Sequence, residues 1–174
     1  MNFSLQPFLE NNLVKVRPLE ESDFAELYKL ASDPLLWEQH QNKDRYTKEK
    51  FTLFFEEAIS SKTTFAILDV KTNRIIGSSR FKSIDESEGV VEIGWSFLAR
   101  SHWGGQFNRS FKTLMVNHAL KKYRYVIFHV NSLNFRSQKA MEKLGAEKIS
   151  DDEKPWALNE AVGITYYLDT PIKD

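Results

Sequence analysis

Two hydrophobic periods divide this chain. Leu13-Val14-Lys15-Val16-Arg17 alternates apolar and polar positions and predicts a strand that Pro18 ends. Behind Ser22 as N-cap, Phe24, Leu27, Tyr28 and Ala31 recur at helical spacing, and Asp33-Pro34 stops that helix. Leu35 to Arg45 keeps neither period and reads as a loop rich in Trp, His, Gln and Asn. Thr47 caps a second helix whose buried stripe is Phe51, Phe54, Phe55 and Ala58. Strands follow over Thr64–Val70, Arg74–Phe81 and Val90–Leu98, joined by turns at Lys71-Thr72-Asn73 and Asp85–Gly89. Links this short imply an antiparallel meander.

After Gly104-Gly105 the rhythm becomes helical again, with Phe107, Phe111, Leu114, Met115 and His118 on one face. Tyr125–Val130 is mostly apolar throughout, as a strand buried on both faces should be. Strand, helix and strand in this order form a right-handed crossover, so 90–98 and 125–130 are expected to be parallel. Asn134 caps a helix with Ser137, Ala140, Met141 and Leu144 on one face and Gly145 as its stop. Glu147-Lys148-Ile149 and Val162–Leu168 are the last strands, and residues 1–11 read as a loose arm or short addition. No repeat, low-complexity segment or linker interrupts the pattern, so residues 1–174 are expected to form a single domain. The predicted class is α/β (α+β): a mixed, mostly antiparallel sheet of six to seven strands flanked by about four helices.

Composition narrows the function. The 174 residues are 41% hydrophobic and 28% charged, ordinary values for a soluble globular protein. A formal net charge of +0 points to neither a nucleic-acid nor a membrane partner. No apolar run is long enough to span a bilayer, and Met1–Leu5 lacks the basic-then-apolar pattern of a secretory signal. Cysteine is absent, which excludes disulfides, thiolate metal sites and a cysteine nucleophile. A cytoplasmic protein is therefore the expectation. The 4 histidines have no metal-ligand spacing, so no metal is expected. There is no Gly-x-Ser-x-Gly elbow and no Walker A sequence.

One stretch is organised for chemistry. A strand ending at Leu98 runs through a glycine turn at Gly104-Gly105 into the N-terminus of a helix. Free N–H groups and the helix dipole then point the same way, which makes an anion site.

Three segments carry a family resemblance: Val91-Glu92-Ile93-Gly94-Trp95, Trp103-Gly104-Gly105-Gln106-Phe107-Asn108, and Asn134 to Ala146 with its Asn-x-x-Ser-x-x-x-Met-Glu-Lys-x-Gly pattern. In this order, on these elements, the chain resembles the GNAT N-acetyltransferases over Leu13 to Leu168. It is most similar to the branch that acetylates N-termini of ribosomal proteins. The resemblance implies splayed central strands and acetyl-CoA as cosubstrate. It also implies an amine acceptor, either a small molecule or a protein N-terminus.

Residue by residue, the resemblance implies Glu92 as general base and Ser137 as the group that protonates the leaving sulfur. Many relatives use a Tyr for that second role, where Met141 stands here. CoA is expected on the backbone of Phe97, Leu98 and Ala99, on Trp103, Gly104, Gly105, Gln106, Phe107, Asn108 and Arg109 at the pyrophosphate, and on Asn134 and Ser137. The family's Arg or Gln at the head of the glycine loop is Trp103 here, and its two later small residues are Gln106 and Asn108. Arg109 is a new cation close to the helix start. Trp37 and His40 are expected in the acceptor wall, with Asn131 as either a substrate contact or a turn residue. His118 and His129 read as packing residues, and Tyr167 or solvent as alternative proton donors. Two other readings stand beside acetyl transfer. One is a CoA-binding module with little catalysis; the other is a homodimeric structural module using an open sheet edge.

Overall fold

The computed structural model describes residues 3–149 and 163–173. Among the described residues, eight strands make one sheet in the order β1-β2-β3-β4-β5-β6-β8-β7. They are β1 (Leu9–Glu10), β2 (Val14–Pro18), β3 (Thr64–Asp69), β4 (Ile75–Asp85), β5 (Val90–Leu98), β6 (Tyr125–Asn131), β7 (Glu147–Ile149) and β8 (Gly163–Leu168). Every pairing is antiparallel except β5 with β6, the parallel pair that the crossover predicts. Four α-helices among the described residues flank the sheet: α1 (Phe24–Ala31), α2 (Lys48–Ser61), α3 (Phe107–Ala119) and α4 (Phe135–Leu144).

The two apolar stripes of each helix pair define two cores. Leu27, Ala31, Phe51, Phe54, Phe55 and Ala58 of α1 and α2 pack on Ala66, Leu68 and Phe97. Phe111, Met115, Met141 and Leu144 of α3 and α4 pack on Val16, Phe65, Ile67, Phe81, Ile93, Phe128 and Tyr166. Each fully buried side chain of this size contributes about 1.5–3 kcal/mol of transfer free energy. β3 is buried along its whole length because it sits between both cores.

What positions the site is a failure of pairing. β5 and β6 are joined only at Val90↔Tyr125, Val91↔Val126 and Glu92↔Ile127, although both strands run on beyond. β5 instead follows β4, to Gly77↔Leu98, through a register shift between Ser78 and Arg80. Trp95 sits opposite that shift at φ 52. The extra residue of a bulge bends its strand, and here it carries β5 away from β6. Gly77 permits the close approach at the far end, since a Cβ there would lie 2.0 Å from the Phe97 carbonyl oxygen.

Two local expectations change. The N-terminal arm contributes a strand, β1, paired on β2. Asn11 fixes it, with Oδ1 accepting from the Leu13 and Val14 amides and Nδ2 donating to Ser110 of α3. Ser22 does not cap α1; it lies inside a 3-10 turn, Glu21–Asp23. Asp23 stands at the N-cap position of α1 without a side-chain cap bond; its carboxylate instead closes the 3-10 turn by accepting from the Glu20 amide and pairs bidentately with Arg17. Thr47 and Asn134 cap α2 and α4 as expected, and Gly145 closes α4 at φ 83. Val162 lies outside the described residues.

Gly77→Ala and Gly145→Ala separate close approach from backbone conformation. Gly145 has open space and only its positive φ to defend, so Ala there is expected to cost about 1 kcal/mol. Gly77→Ala must move backbone and is expected to cost at least about 3 kcal/mol, read from urea midpoints at constant m. Equal, small losses would show that β4 and β5 do not need this contact.

Candidate active site

Glu92 is the last residue of β5 paired to β6. Val91 and Ile93 turn into the core under α3 and α4, so Glu92 faces the α1–α2 side. It is buried, and its carboxylate folds over Gly94, where a Cβ would meet Oε1 at 2.9 Å. His129 of β6 reaches it from the other strand, Nδ1 to Oε1 at 3.3 Å. The other ring nitrogen, Nε2, is buried and has no hydrogen-bond partner among the described residues. Sequence reading treated His129 as packing. The parallel register gives the missing signal: Glu92 pairs with Ile127, so the residue two further along β6 lies on the same face, diagonal to Glu92.

On the opposite side of the opening is a second ionisable group that sequence reading passed over. Lys112 of α3 is buried, and its Nζ donates to Ser96 Oγ at 2.8 Å. Ser96 also shares a 2.8 Å hydrogen bond with Ser79. The ammonium lies 5.0 Å from the Phe128 ring and 5.3 Å from that of Phe111. Burial pushes the amine down to about 7, and the negative charge of Glu92 partly opposes that.

Downstream of β5, a 3-10 turn (Arg100–His102) leads to Gly104 at φ 73 and to Gly105, both in open space. Gln106 precedes α3 without a side-chain cap, so the first N–H groups of the helix face this turn. Trp103 spans the mouth of the opening. Its indole N–H donates to the Leu98 carbonyl at 2.9 Å, and its ring carries the Arg136 guanidinium at 3.8 Å. The Ala99 amide is bonded to the Ile76 carbonyl. Arg109 turns away from the glycine turn and donates to the carbonyls of Lys143 and Lys173. His102 packs its ring edge against Phe107.

On the other wall, Asn134 is buried and accepts from the Ser137 amide, while half-buried Ser137 keeps its hydroxyl one turn into α4. Asn131 accepts from the Leu133 amide in the connecting turn, the local role of a turn residue. Arg136 fastens this wall to the loop after α1, donating to the Leu36 carbonyl and, through its amide, to Gln39 Oε1.

That loop is more ordered than its composition implies. Trp37 is almost fully buried and donates to the Ala31 carbonyl at 2.7 Å. His40 stands edge-on to it at 5.4 Å. Burial, with Arg45 and Arg136 nearby, pushes His40 down to about 4, so the ring is neutral at neutral pH. The face that carries Glu92 also gathers cations on aromatic rings. Arg45 lies 4.4 Å from Phe54, Arg80 lies 4.8 Å from Trp95, and Lys82 lies 5.7 Å from Trp95. Arg80 is buried, pairs with Glu57, and leaves one guanidinium nitrogen without a partner among the described residues.

The family model described as an acetyltransferase (GNAT) domain matches residues 14–147. The chain belongs to the GNAT acetyltransferase family. No curated protein sequence matches it significantly. A GNAT acetyltransferase from Bacillus anthracis superposes with a TM-score of 0.73 at 18% identity, covering 92% of this chain and 96% of that one. Spermidine N-acetyltransferase from Vibrio cholerae, solved with CoA and spermine, gives 0.65 at 16% identity over 91% and 96%. Mycobacterium smegmatis RimJ with CoA-disulfide gives 0.68 at 13% over 93% and 85%.

This GNAT acetyltransferase uses acetyl-CoA as acyl donor, and its own features fit that cosubstrate. The unpaired inner edges of β5 and β6 offer backbone groups to an amide-bearing arm, and the glycine turn leaves room for phosphate at the N-terminus of α3. Hollows of about 350 and 290 Å³ lie along β2 to β4; the smaller one reaches Ala99, Ser101 and His102 ahead of the glycine turn, and neither contains Glu92 or Asn134. No group of three or more His, Cys, Asp or Glu that could hold a metal occurs among the described residues.

Lys112 imposes a pH signature on the fold of this GNAT enzyme. Its native value, about 7, lies below the ordinary 10.5. Between those values the unfolded chain binds a proton that the native chain does not. Stability is therefore full above the ordinary value and falls as pH drops toward 7, by up to about 1.4 kcal/mol per unit. Lys112→Met is expected to remove that slope and to be more stable than wild type at pH 7. Urea denaturation at pH 7 and pH 9 checks this, and parallel curves for both proteins would contradict it.

Proposed function

We propose that this enzyme transfers the acetyl group of acetyl-CoA to a primary amine by direct attack within a ternary complex. The observation that carries the proposal is the buried Glu92 carboxylate placed where β5 and β6 stop pairing. Glu92 takes the proton of the attacking amine, and His129 holds the carboxylate in position at 3.3 Å. Phe97, Leu98 and Ala99 hold the pantetheine arm along one side, with Asn134 and Ser137 on the other. For Leu98 to accept from an amide of the arm, the Trp103 indole must release its carbonyl. Gly104 to Asn108 cradle the pyrophosphate through backbone N–H groups. Arg109 joins them only by leaving the Lys143 and Lys173 carbonyls.

The acceptor enters from the α1–α2 side, past Trp37 and His40 and toward Asn131. An α-amine has a reference value of about 7.7–8.0 against about 10.4 for lysine, so it asks less of a carboxylate base. Peptide N-termini, as in the ribosomal-protein branch, and small α-amines suit this best. Arg45, Arg80 and Lys82 favour an acceptor that also carries an oxyanion over a polyamine. We place the activity in residues 1–174 acting as one domain in the cytoplasm. The second reading, CoA binding with little catalysis, draws on one observation: Trp103 already occupies the Leu98 carbonyl.

Acetyl-CoA turnover against amino acids, acidic and neutral N-terminal peptides, and spermidine tests both readings. Release of CoA with the carboxylate-bearing amines, reduced at least about 100-fold in Glu92→Gln with CoA affinity retained, is the expected result. Turnover unchanged in Glu92→Gln would remove Glu92 as base. CoA binding without turnover on any amine would favour the second reading.

A further inference from the structure

Lys112 is a buried amine in apolar surroundings, where a methionine would fill the same space without the cost of a charge. Its neighbours do not neutralise it. Phe111 and Phe128 present ring faces, Ser96 gives it a hydrogen bond, and no carboxylate lies within ion-pair distance among the described residues. The titratable groups on the strands beneath it are Glu92 of β5, whose charge acts on it, and His129 of β6, which pairs with Glu92. Tyr166 of β8 shares its core, with a hydroxyl that has no partner among the described residues.

The position explains the expense. Ser96 lies beyond the last β5–β6 pair, in the exposed part of β5 that lines the opening. Lys112 therefore brings its nitrogen from α3 to the floor of the cleft, on the side away from the acceptor face. Met141, buried on α4, has no proton to give. We propose that Lys112, rather than Ser137, is the catalytic acid that protonates the departing CoA sulfur, a role that rests on the acetyl-transfer reading above.

The protons balance. The amine nitrogen bonds to the acetyl carbon and passes one proton to Glu92, the carbon–sulfur bond breaks, and the sulfur takes a proton from Lys112 Nζ. The products are the amide and the CoA thiol. Lys112, now neutral, recovers a proton by way of Ser96, an exposed residue hydrogen-bonded to it, and Glu92 returns its proton to solvent. A native value near neutrality lets one amine donate and recover a proton within a cycle.

Two readouts test the role in wild type, Lys112→Met and Lys112→Arg. The first is binding of free CoA, followed across pH by the ultraviolet absorbance of its thiolate. A permanent cation at the sulfur lowers the bound thiol by at least about one unit in Lys112→Arg relative to Lys112→Met, and in wild type thiolate and amine titrate as a coupled pair, so its curve also departs from that of Lys112→Met. The second is the pH profile of kcat. Lys112→Met is expected to lose about 100-fold in kcat and the alkaline limb, with KM for acetyl-CoA within about threefold, and Lys112→Arg to move that limb upward. Identical thiol titrations in wild type and Lys112→Met, or an unchanged alkaline limb, would overturn the proposal. Should Lys112→Met not fold, Ser96→Ala keeps the amine and removes its hydrogen bond; an alkaline limb that does not move there overturns it equally. A lowered thiol value in a wild type that acetylates no amine would sink the acetyl-transfer reading and leave Lys112 at the sulfur.

Discussion

The structure depends on one broken ladder. Parallel strands that stop pairing leave N–H and C=O groups on two facing edges, and buried backbone groups without partners are expensive. β6 keeps its outer edge satisfied by β8 down to Asn131↔Gly163, and β5 keeps its outer edge on β4 to Leu98. The inner edges remain. The protein meets part of that demand itself, with the Trp103 indole on the Leu98 carbonyl. An arm carrying amides could meet the rest. The bulge at Trp95 and the close contact at Gly77 are what keep β5 bent away, so stability at these two positions and the existence of a cleft are the same requirement.

The opening also separates charge. Glu92 and His129 occupy one face, Lys112 and Ser96 the other, and the strands between them part where acyl transfer needs a proton taken on one side and given on the other. Each group is held by a second residue on a different element. In the reaction we propose, that arrangement fixes direction: the acceptor enters on the carboxylate side, lined by Trp37, Phe54 and Trp95 with their cations, and the cosubstrate lies on the amine side.

Much of this was legible in the chain. Period-2 and period-3.6 patterns placed the central strands and all four helices, because those faces are buried and burial enforces the period. The crossover gave the parallel pair, and Asn134 and Gly145 announced both ends of α4. The N-terminal arm escaped because two residues carry no period, and Ser22 misled because Glu20 and Asp23 close a 3-10 turn around it. In the site, Glu92 stood out by motif, whereas His129 and Lys112 did not. The roles proposed for them arise from register and from the reach of a side chain across an opening, neither of which a linear pattern contains. Trp103 was visible as a departure, but its meaning needed Leu98 and Arg136, which are distant in sequence or on another element.

Hydrogen exchange of the chain with and without saturating CoA tests the central claim most directly, because it reads the unpaired edges themselves. The account predicts added protection along Phe97 to Ala99, Gly104 to Asn108 and the first turn of α4 from Asn134, with β1 and β3 unchanged. Protection confined to the hollow along β2 and β3, or no change at any of the three segments, would contradict it.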